Sequence, residues 1–310
     1  ANTVFALTQN SRYGSVEDVF RQTMGLAKKW GVSNQVEILY SRNNPKISLA
    51  DIVTNLGFVR PLNNVFLQQL KPSAVISLMF EIWEYIPQDL DLEACRRLGI
   101  PVAGTNENHP ALQTFKYVGH LVLKLLFELD IEIYQSKIAV IGGGEFGKAT
   151  VSSLIGAGAE VFQFCPIQGE SLAAPKHQAI LAMCDAIAVV EHQSKELIIG
   201  HGGQITAKKL KSINPGIVLA HVAGNVNQAE LETQHIPFNP SHIASASYMS
   251  VATDYLGAKP IIDLHTAGLK VGLEMSHMAT KNQQIQSKQS VTQYSSSLIQ
   301  FFPTNINVEN

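Results

Sequence analysis

KIAVIGGGEFG, residues 137–147, is an apolar run ending in three glycines spaced Gly142-x-Gly144-x-x-Gly147. A helix-compatible stretch, KATVSSLIGAG, follows at once, and a strand-like run, EVFQFC, comes after it. The order strand, glycine turn, helix, strand is what gives the spacing meaning, because the bare pattern recurs by chance. The first glycine permits a tight turn and the second lets the backbone approach a pyrophosphate. The third lets the helix pack close to the strand, so that its N-terminal amides point at the phosphates. The stretch therefore predicts a dinucleotide site built on Gly142, Gly144, Glu145, Phe146 and Gly147.

Outward from this unit, strand-like and helix-like runs alternate along the chain, the pattern of an α/β protein with parallel sheets. TVFALT is the first strand, and Ser15 with Asp18 marks the start of a helix running to about Trp30. VEILYS and PSAVISLMF are further strands. DLEACRRLG reads as a helix ended by Gly99, and IPVAGT as the strand after it. Residues 110–129 predict one long helix with Pro110 near its first turn, apolar over most of its circumference and so expected to lie between domains or between protomers. A homodimer is expected on that ground. After the glycine unit come the strands DAIAVVE (185–191) and GIVLAHV (216–222), and a short strand around Ile236 to Phe238. TAKKLKSI and NQAELET read as helices. The stretch 248–275 reads as helix and loop, and the tail from Lys281 as a polar surface segment.

Apolar residues make up 45% of the 310 and charged residues 15%, with a formal net charge of −2. That is a globular, lightly charged composition without the basic run of a nucleic-acid footprint. No stretch approaches the roughly 18 to 20 continuous apolar residues of a membrane span, and ANTVFALTQN reads as a strand rather than a signal peptide. Cys95, Cys165 and Cys184 are widely spaced, which fits a reduced cytoplasmic interior and packing cysteines. The histidines lack metal-ligand spacing, and no metal is expected. All six arginines (12, 21, 42, 60, 96 and 97) lie in the first third of the chain. Guanidinium recognition of a carboxylate or phosphate must come from there.

From about Pro72 to about Gly257 the chain resembles the D-isomer-specific 2-hydroxyacid dehydrogenases. The likeness is carried by GIPVAGT with the helix after it, the glycine stretch, DAIAVVE, ITAKKLKSINPGIVLAHVAG, and Pro240-Ser241-His242-Ile243-Ala244 in place of the family's Pro-His-Ile-Ala signature. Residues 196–231 also look like the NAD domain of S-adenosylhomocysteine hydrolases. The resemblance implies two domains: a Rossmann dinucleotide-binding domain over 110–262, and a flavodoxin-like catalytic domain over 1–109 completed by about 263–310. Two of the family's catalytic positions are unmatched. Its arginine would fall within His221-Val222-Ala223-Gly224-Asn225. Its glutamate would fall before His242, where only Glu230 and Glu232 stand, on a helix.

His242 is the candidate proton donor or acceptor, since hydride transfer to a carbonyl needs a proton at the developing alkoxide. Asp263 and Glu107 are the acids considered for orienting it. His265 and Lys270 in IIDLHTAGLKVG form either a second catalytic pair on a loop or a solvated turn. Arg12, after the first strand, is either the carboxylate clamp or a surface residue, with Phe80 and Glu81 similarly placed. Cys165 and Pro166 stand where an acid would bind the ribose diol of NAD, which leans the reading slightly to NADP, with Gln168, Ser171 or Lys176 as donors. Val190, Glu191 and His192, with His221, Val222 and Ala223, are expected to line the cofactor.

These residues point to an NAD(P)-dependent oxidoreductase acting by hydride transfer on the carbonyl or alcohol of a small polar metabolite. Two alternatives are an NAD-bound hydrolase or lyase with transient redox, and a catalytically inactive dinucleotide-binding protein.

Overall fold

Period-two alternation of small and branched apolar residues, continued over neighbouring segments, makes sheets that are buried on both faces. The computed structural model describes residues 3–11, 14–55, 57–246, 248–280 and 298–302. The chain divides into two units, Ala1–Leu112 with Leu264–Asn310, and Gln113–Asp263.

In the first unit β1 (Val4–Leu7) leads through Ser15 into α1 (Val16–Lys29). Ser15 Oγ accepts the Asp18 N–H at 3.1 Å, satisfying one of the helix's orphan donors. Ser15→Ala should cost about 1 kcal/mol in a urea titration; an unchanged midpoint would show that the cap does not stabilise the helix. β2 (Val36–Leu39) pairs in parallel with β1. β3 (Ile52–Thr54), unexpected because Asp51 and Asn55 bracket only three strand residues, follows, and then α2 (Asn64–Leu67). β4 (Val75–Ser77), α3 (Leu92–Leu98) and β5 (Val102–Thr105) continue the alternation, with β3, β4 and β5 parallel. Gly99 closes α3 in the left-handed conformation at φ 69°, where a side chain would be strained.

The second unit opens with α4 (Lys116–Phe127), shorter than the helix expected from residue 110. Local side-chain bonds take the missing turns. Asn106 Oδ1 accepts the Asn108 N–H, His109 Nδ1 accepts the Ala111 N–H, and Gln113 sits at φ 49°. Such bonds compete with the helical ladder. Next come β6 (Lys137–Ile141), α5 (Gly144–Gly156), β7 (Glu160–Phe164), α6 (Pro175–Leu181) and β8 (Ala186–Val190). A short β9 (Leu197–Ile199) precedes α7 (Ala207–Ile213) and β10 (Val218–Ala223). β11 (Asn225–Val226) pairs with β9, and α8 (Gln228–Thr233) and β12 (Phe238–Asn239) complete the unit's sheet segment.

Five parallel strands stand in the order β12-β10-β8-β6-β7. The alternation sorts their side chains onto two cores. Ile138, Val140, Ala186, Ala188, Val190, Ala220 and Val222 face α4 and α5. Ala139, Ile141, Ile187, Val189 and Leu219 face the side of Leu181, Leu210 and Leu231, on α6, α7 and α8. The apolar stripe of α4 (Val118, Leu121, Val122, Leu125, Leu126) is thus buried inside its own unit. Gly119 makes this possible, since a Cβ there would lie 2.5 Å from the Ala149 carbonyl oxygen of α5. The expected homodimer loses its physical basis, because α4 needs no second copy of the chain to cover it.

α9 (Ala258–Thr280) contains the DLHTAG stretch, so the loop expected there is helix. The reason is the spacing of Ala267, Val271, Met275 and Met278, which pack against Val75 and Ala103 of the first unit. Gly268 and Gly272 let the helix lie against Met79 and Ile52. β13 (Ile299–Phe301) adds antiparallel to β5. The polar tail expected from Lys281 lies largely outside the described residues. Among the described residues, no helix is long and apolar enough to cross a membrane.

Candidate dinucleotide site

β6 has β7 on one side and β8 on the other. The chain leaves β6 for β7 and then crosses back to β8, so the strand order reverses there. Ligands of open parallel sheets lie beyond the carboxyl ends of the strands at such a reversal. Three segments meet at this point: the glycine turn after β6, Cys165 after β7, and Glu191 with His192 after β8.

Each glycine has its own constraint. Gly142 (φ 139°) donates its N–H to the Phe164 carbonyl at 2.9 Å, extending the sheet into the turn. A Cβ on it would lie 2.7 Å from the Glu191 nitrogen. A Cβ on Gly147 would lie 2.5 Å from the Gly142 carbonyl oxygen, which is the helix-on-strand approach expected of the third glycine. Gly144 (φ 57°) faces only side chains, with His192 Cε1 at 2.8 Å and Gln193 Cδ at 3.0 Å from the place of its missing Cβ. Gly143 caps α5 with no side-chain hydrogen bond. The first amides of a 13-residue helix are thereby left for an anion, with the dipole favouring negative charge. A dinucleotide pyrophosphate fits this cradle in charge and in donor set.

The other expected lining residues are placed as follows. Phe146 is buried and stacks on His192 at 4.1 Å between ring centroids. Glu145 pairs with Lys148 at 2.9 Å. Val190, Val222 and Ala223 are buried in the core. Pro166 begins a short turn through Gln168. Glu191, 1% exposed, accepts the N–H groups of Gln193 and Ser194 on Oε1 at 2.8 and 3.1 Å.

His221, expected to touch the cofactor, instead holds the structure together. Its ring is fully buried and both nitrogens are used. Nε2 faces the Gly224 carbonyl at 3.0 Å and must carry the proton. Nδ1 then accepts the Ser250 hydroxyl at 2.7 Å, and Ser250 Oγ accepts the Ala244 N–H at 2.8 Å. The network ties the 244–250 loop to the end of β10. Burial pushes the imidazole down to about 4, so it is neutral at pH 7.

A carboxylate does stand at the end of β7, from a residue that sequence reading passed over. Glu170 folds back so that Oε2 accepts the Cys165 N–H at 2.7 Å. The two stand five positions apart, too far for a position-by-position reading of the strand end. This corrects the grounds for NADP, because a carboxylate there repels a 2′-phosphate. Of the donors considered, Lys176 and Gln168 are exposed, and the Ser171 carbonyl bonds His177 Nδ1 at 2.7 Å. The Cys165 thiol is held above its ordinary range by burial first, then by Glu170 and Glu191. Burial likewise pushes Cys95 and Cys184 up to about 12 and about 11, so all three thiols stay protonated at neutral pH.

The catalytic candidates are not gathered at the turn. His242 is exposed beyond β12, three strand spacings from β6 and so about 14 Å across the sheet. Its loop is held by Gln228, which accepts the Ile243 N–H and donates to the Ser241 carbonyl. Among the described residues no acid bonds its ring. Asp263 is taken by Lys259 at 2.8 Å and Tyr117 at 3.1 Å, the Lys259 bond doing most to lower its pKa. Glu230 Oε1 accepts the Asn227 side-chain amide and the His201 N–H, and Glu232 accepts from Gln228. Glu107 and Glu81 are buried beside Glu84 in the first unit, where the Glu107 N–H donates to Glu81 at 3.0 Å. Desolvation, then the neighbouring Glu81 charge, raises the Glu84 pKa. His265 is half-buried and Lys270 exposed, both on α9 rather than on a loop. Burial lowers the His265 pKa. Phe80 lies beside this acidic group, and Arg12 lies outside the described residues. A cavity of about 710 Å³ in the first unit, bordered by Tyr85, Asp91 and Arg96, includes none of the glycine-turn residues.

The strand order defines a doubly wound α/β class of domain. Two solved structures with TM-scores above 0.5 agree on the fold, and a third falls just below. A dipicolinate synthase component from Bacillus halodurans is similar with a TM-score of 0.52 at 10% identity, over 78% of this chain and 84% of that one. Its counterpart in the dipicolinate synthase of Bacillus subtilis gives 0.51 at 10% identity, over 91% and 98%. D-lactate dehydrogenase with NAD+ from Lactobacillus jensenii gives 0.49 at 14% identity, over 88% and 96%. No protein-family model and no curated protein matches the sequence.

Proposed function

We propose that the chain is an NAD-dependent oxidoreductase whose dinucleotide sits at the reversal point of the second unit. The observation that carries this reading is the α5 N-terminus, without a side-chain cap, beside a glycine whose missing Cβ would meet side chains rather than backbone. The amides of Gly144, Glu145 and Phe146 would hold the pyrophosphate, and Glu170 the adenosine ribose diol. Bound NAD would supply the hydride acceptor. His242 would exchange the proton with the substrate oxygen, its neutral imidazole taking it during alcohol oxidation.

Calorimetry with the oxidised and reduced forms of both coenzymes tests the reading. NAD(H) should bind more tightly than NADP(H), and Glu170→Gln should narrow the preference about tenfold by removing one charge from beside the 2′ position. No heat with any of the four would end the proposal. A preference for NADP(H) would end the role given to Glu170.

A second reading, dinucleotide binding without turnover, is favoured by two observations: His242 has no acid partner among the described residues, and Asn225 stands in the region of the family's arginine. It predicts no change in nicotinamide absorbance with any small polar alcohol or carbonyl compound. The oxidoreductase reading requires such a change, and its loss in His242→Asn.

A further inference from the structure

Glu191 carries one carboxylate oxygen that the protein itself does not use. Oε1 receives two backbone amides, from Gln193 and Ser194. Oε2 is buried and, among the described residues, has no hydrogen-bond partner. A carboxylate oxygen out of water and unbonded is costly. Such an atom asks for a donor from elsewhere.

Its place says which donor. The Glu191 nitrogen is 2.7 Å from where a Cβ of Gly142 would stand, so the residue leaves β8 directly against the glycine turn. Its charge is felt at Cys165, whose Sγ is 3.9 Å from the Gly142 carbonyl oxygen on the far side of β6. The carboxylate therefore lies at the floor of the crevice, under the turn. Glu191 is also the anchor of what covers that floor. The amide it holds belongs to Gln193, whose side chain, with the His192 ring, occupies the space in front of Gly144. A pyrophosphate approaching the turn must displace these two side chains from in front of Gly144.

Building on the NAD reading, we propose that Glu191 Oε2 is the acceptor for a hydroxyl of the second ribose, the one on the nicotinamide side of the pyrophosphate. The two sides of β6 distinguish the riboses. The adenosine ribose belongs to the β7 side, where Glu170 stands, so a molecule threaded over the turn carries its other ribose toward β8. Glu191 thus has two roles in one side chain: one oxygen holds the covering segment, and the other receives the ligand. The hydroxyl donates to the carboxylate, and no covalent change is involved.

Three ligands of increasing length test this by calorimetry: ADP, ADP-ribose and NAD+. ADP ends at the diphosphate, and only the other two carry the second ribose. Glu191→Gln keeps an oxygen for the two amides and removes the charged acceptor. It should weaken ADP-ribose and NAD+ about tenfold, the difference between charged and neutral acceptors, and leave ADP unchanged. A parallel loss for ADP, or no loss for any ligand, overturns the assignment. Glu191→Asp serves as the second variant: its shorter carboxylate keeps the charge but withdraws the reach, and the same ADP-sparing pattern is expected. If the wild-type protein binds none of the three, the dinucleotide reading itself fails, and this assignment with it.

Discussion

Gly144→Ala should leave the second unit folded and remove dinucleotide binding. At φ 57° an alanine is strained by roughly 1–2 kcal/mol. The atoms its methyl would meet belong to the His192 and Gln193 side chains rather than to backbone. A pyrophosphate cannot approach past that methyl and still reach the amides. Losing even one or two charge-assisted hydrogen bonds removes about 3 kcal/mol, or about 100-fold in affinity. Gly142→Ala and Gly147→Ala are the contrast. Their methyls would meet backbone atoms at 2.7 and 2.5 Å, which cannot swing, and each should cost about 3 kcal/mol of stability or more. Melting curves and calorimetry on the three variants separate the cases. A Gly144→Ala protein that binds NAD(H) like the wild type would show that the pyrophosphate does not use this turn.

Acid should weaken the second unit through His221. Folding lowers this imidazole from its ordinary 6.5 to about 4. The unfolded chain therefore binds a proton that the folded chain refuses anywhere between those values. Stability from this residue is complete above pH 6.5 and falls by about 1.4 kcal/mol per pH unit below it, for about 3 kcal/mol in all by pH 4. His265, also lowered by burial, acts in the same direction. Glu84 acts oppositely, since its raised pKa favours the folded state as pH drops from neutrality. Wild type must therefore be compared with His221→Gln at each pH, which cancels both. In urea titrations at pH 7.5 and 4.5 the wild-type advantage should shrink by about 3 kcal/mol. An advantage independent of pH would mean that the ring is not buried neutral.

The glycine stretch was legible because its signals are local and agree with one another. A strand period, a turn chemistry and a helix start fall in one short span, and the structure shows the turn at Gly142 and the close helix-on-strand approach at Gly147. Tertiary context decided the cases in which the reading failed. DLHTAG looks like a loop because Gly268 is a poor helix former, yet that glycine is where α9 passes close to Met79. The helix expected from residue 110 starts at Lys116 because Asn106 and His109 bond neighbouring amides. His221 reads as a candidate ligand residue until both ring nitrogens are seen to be spent on Gly224 and Ser250.

By itself, then, the sequence determined the alternating α/β class and the strand, glycine turn and helix unit, because backbone conformation and side-chain period are properties of consecutive residues. Only the tertiary structure decided which acids stand beside that turn. Glu170 reaches Cys165 from five residues further along the chain, and Glu191 comes from a different strand. Whether a carboxylate binds a ribose, caps a loop or sits at the surface depends on neighbours and on exclusion of water. Both are set by residues far apart in the chain.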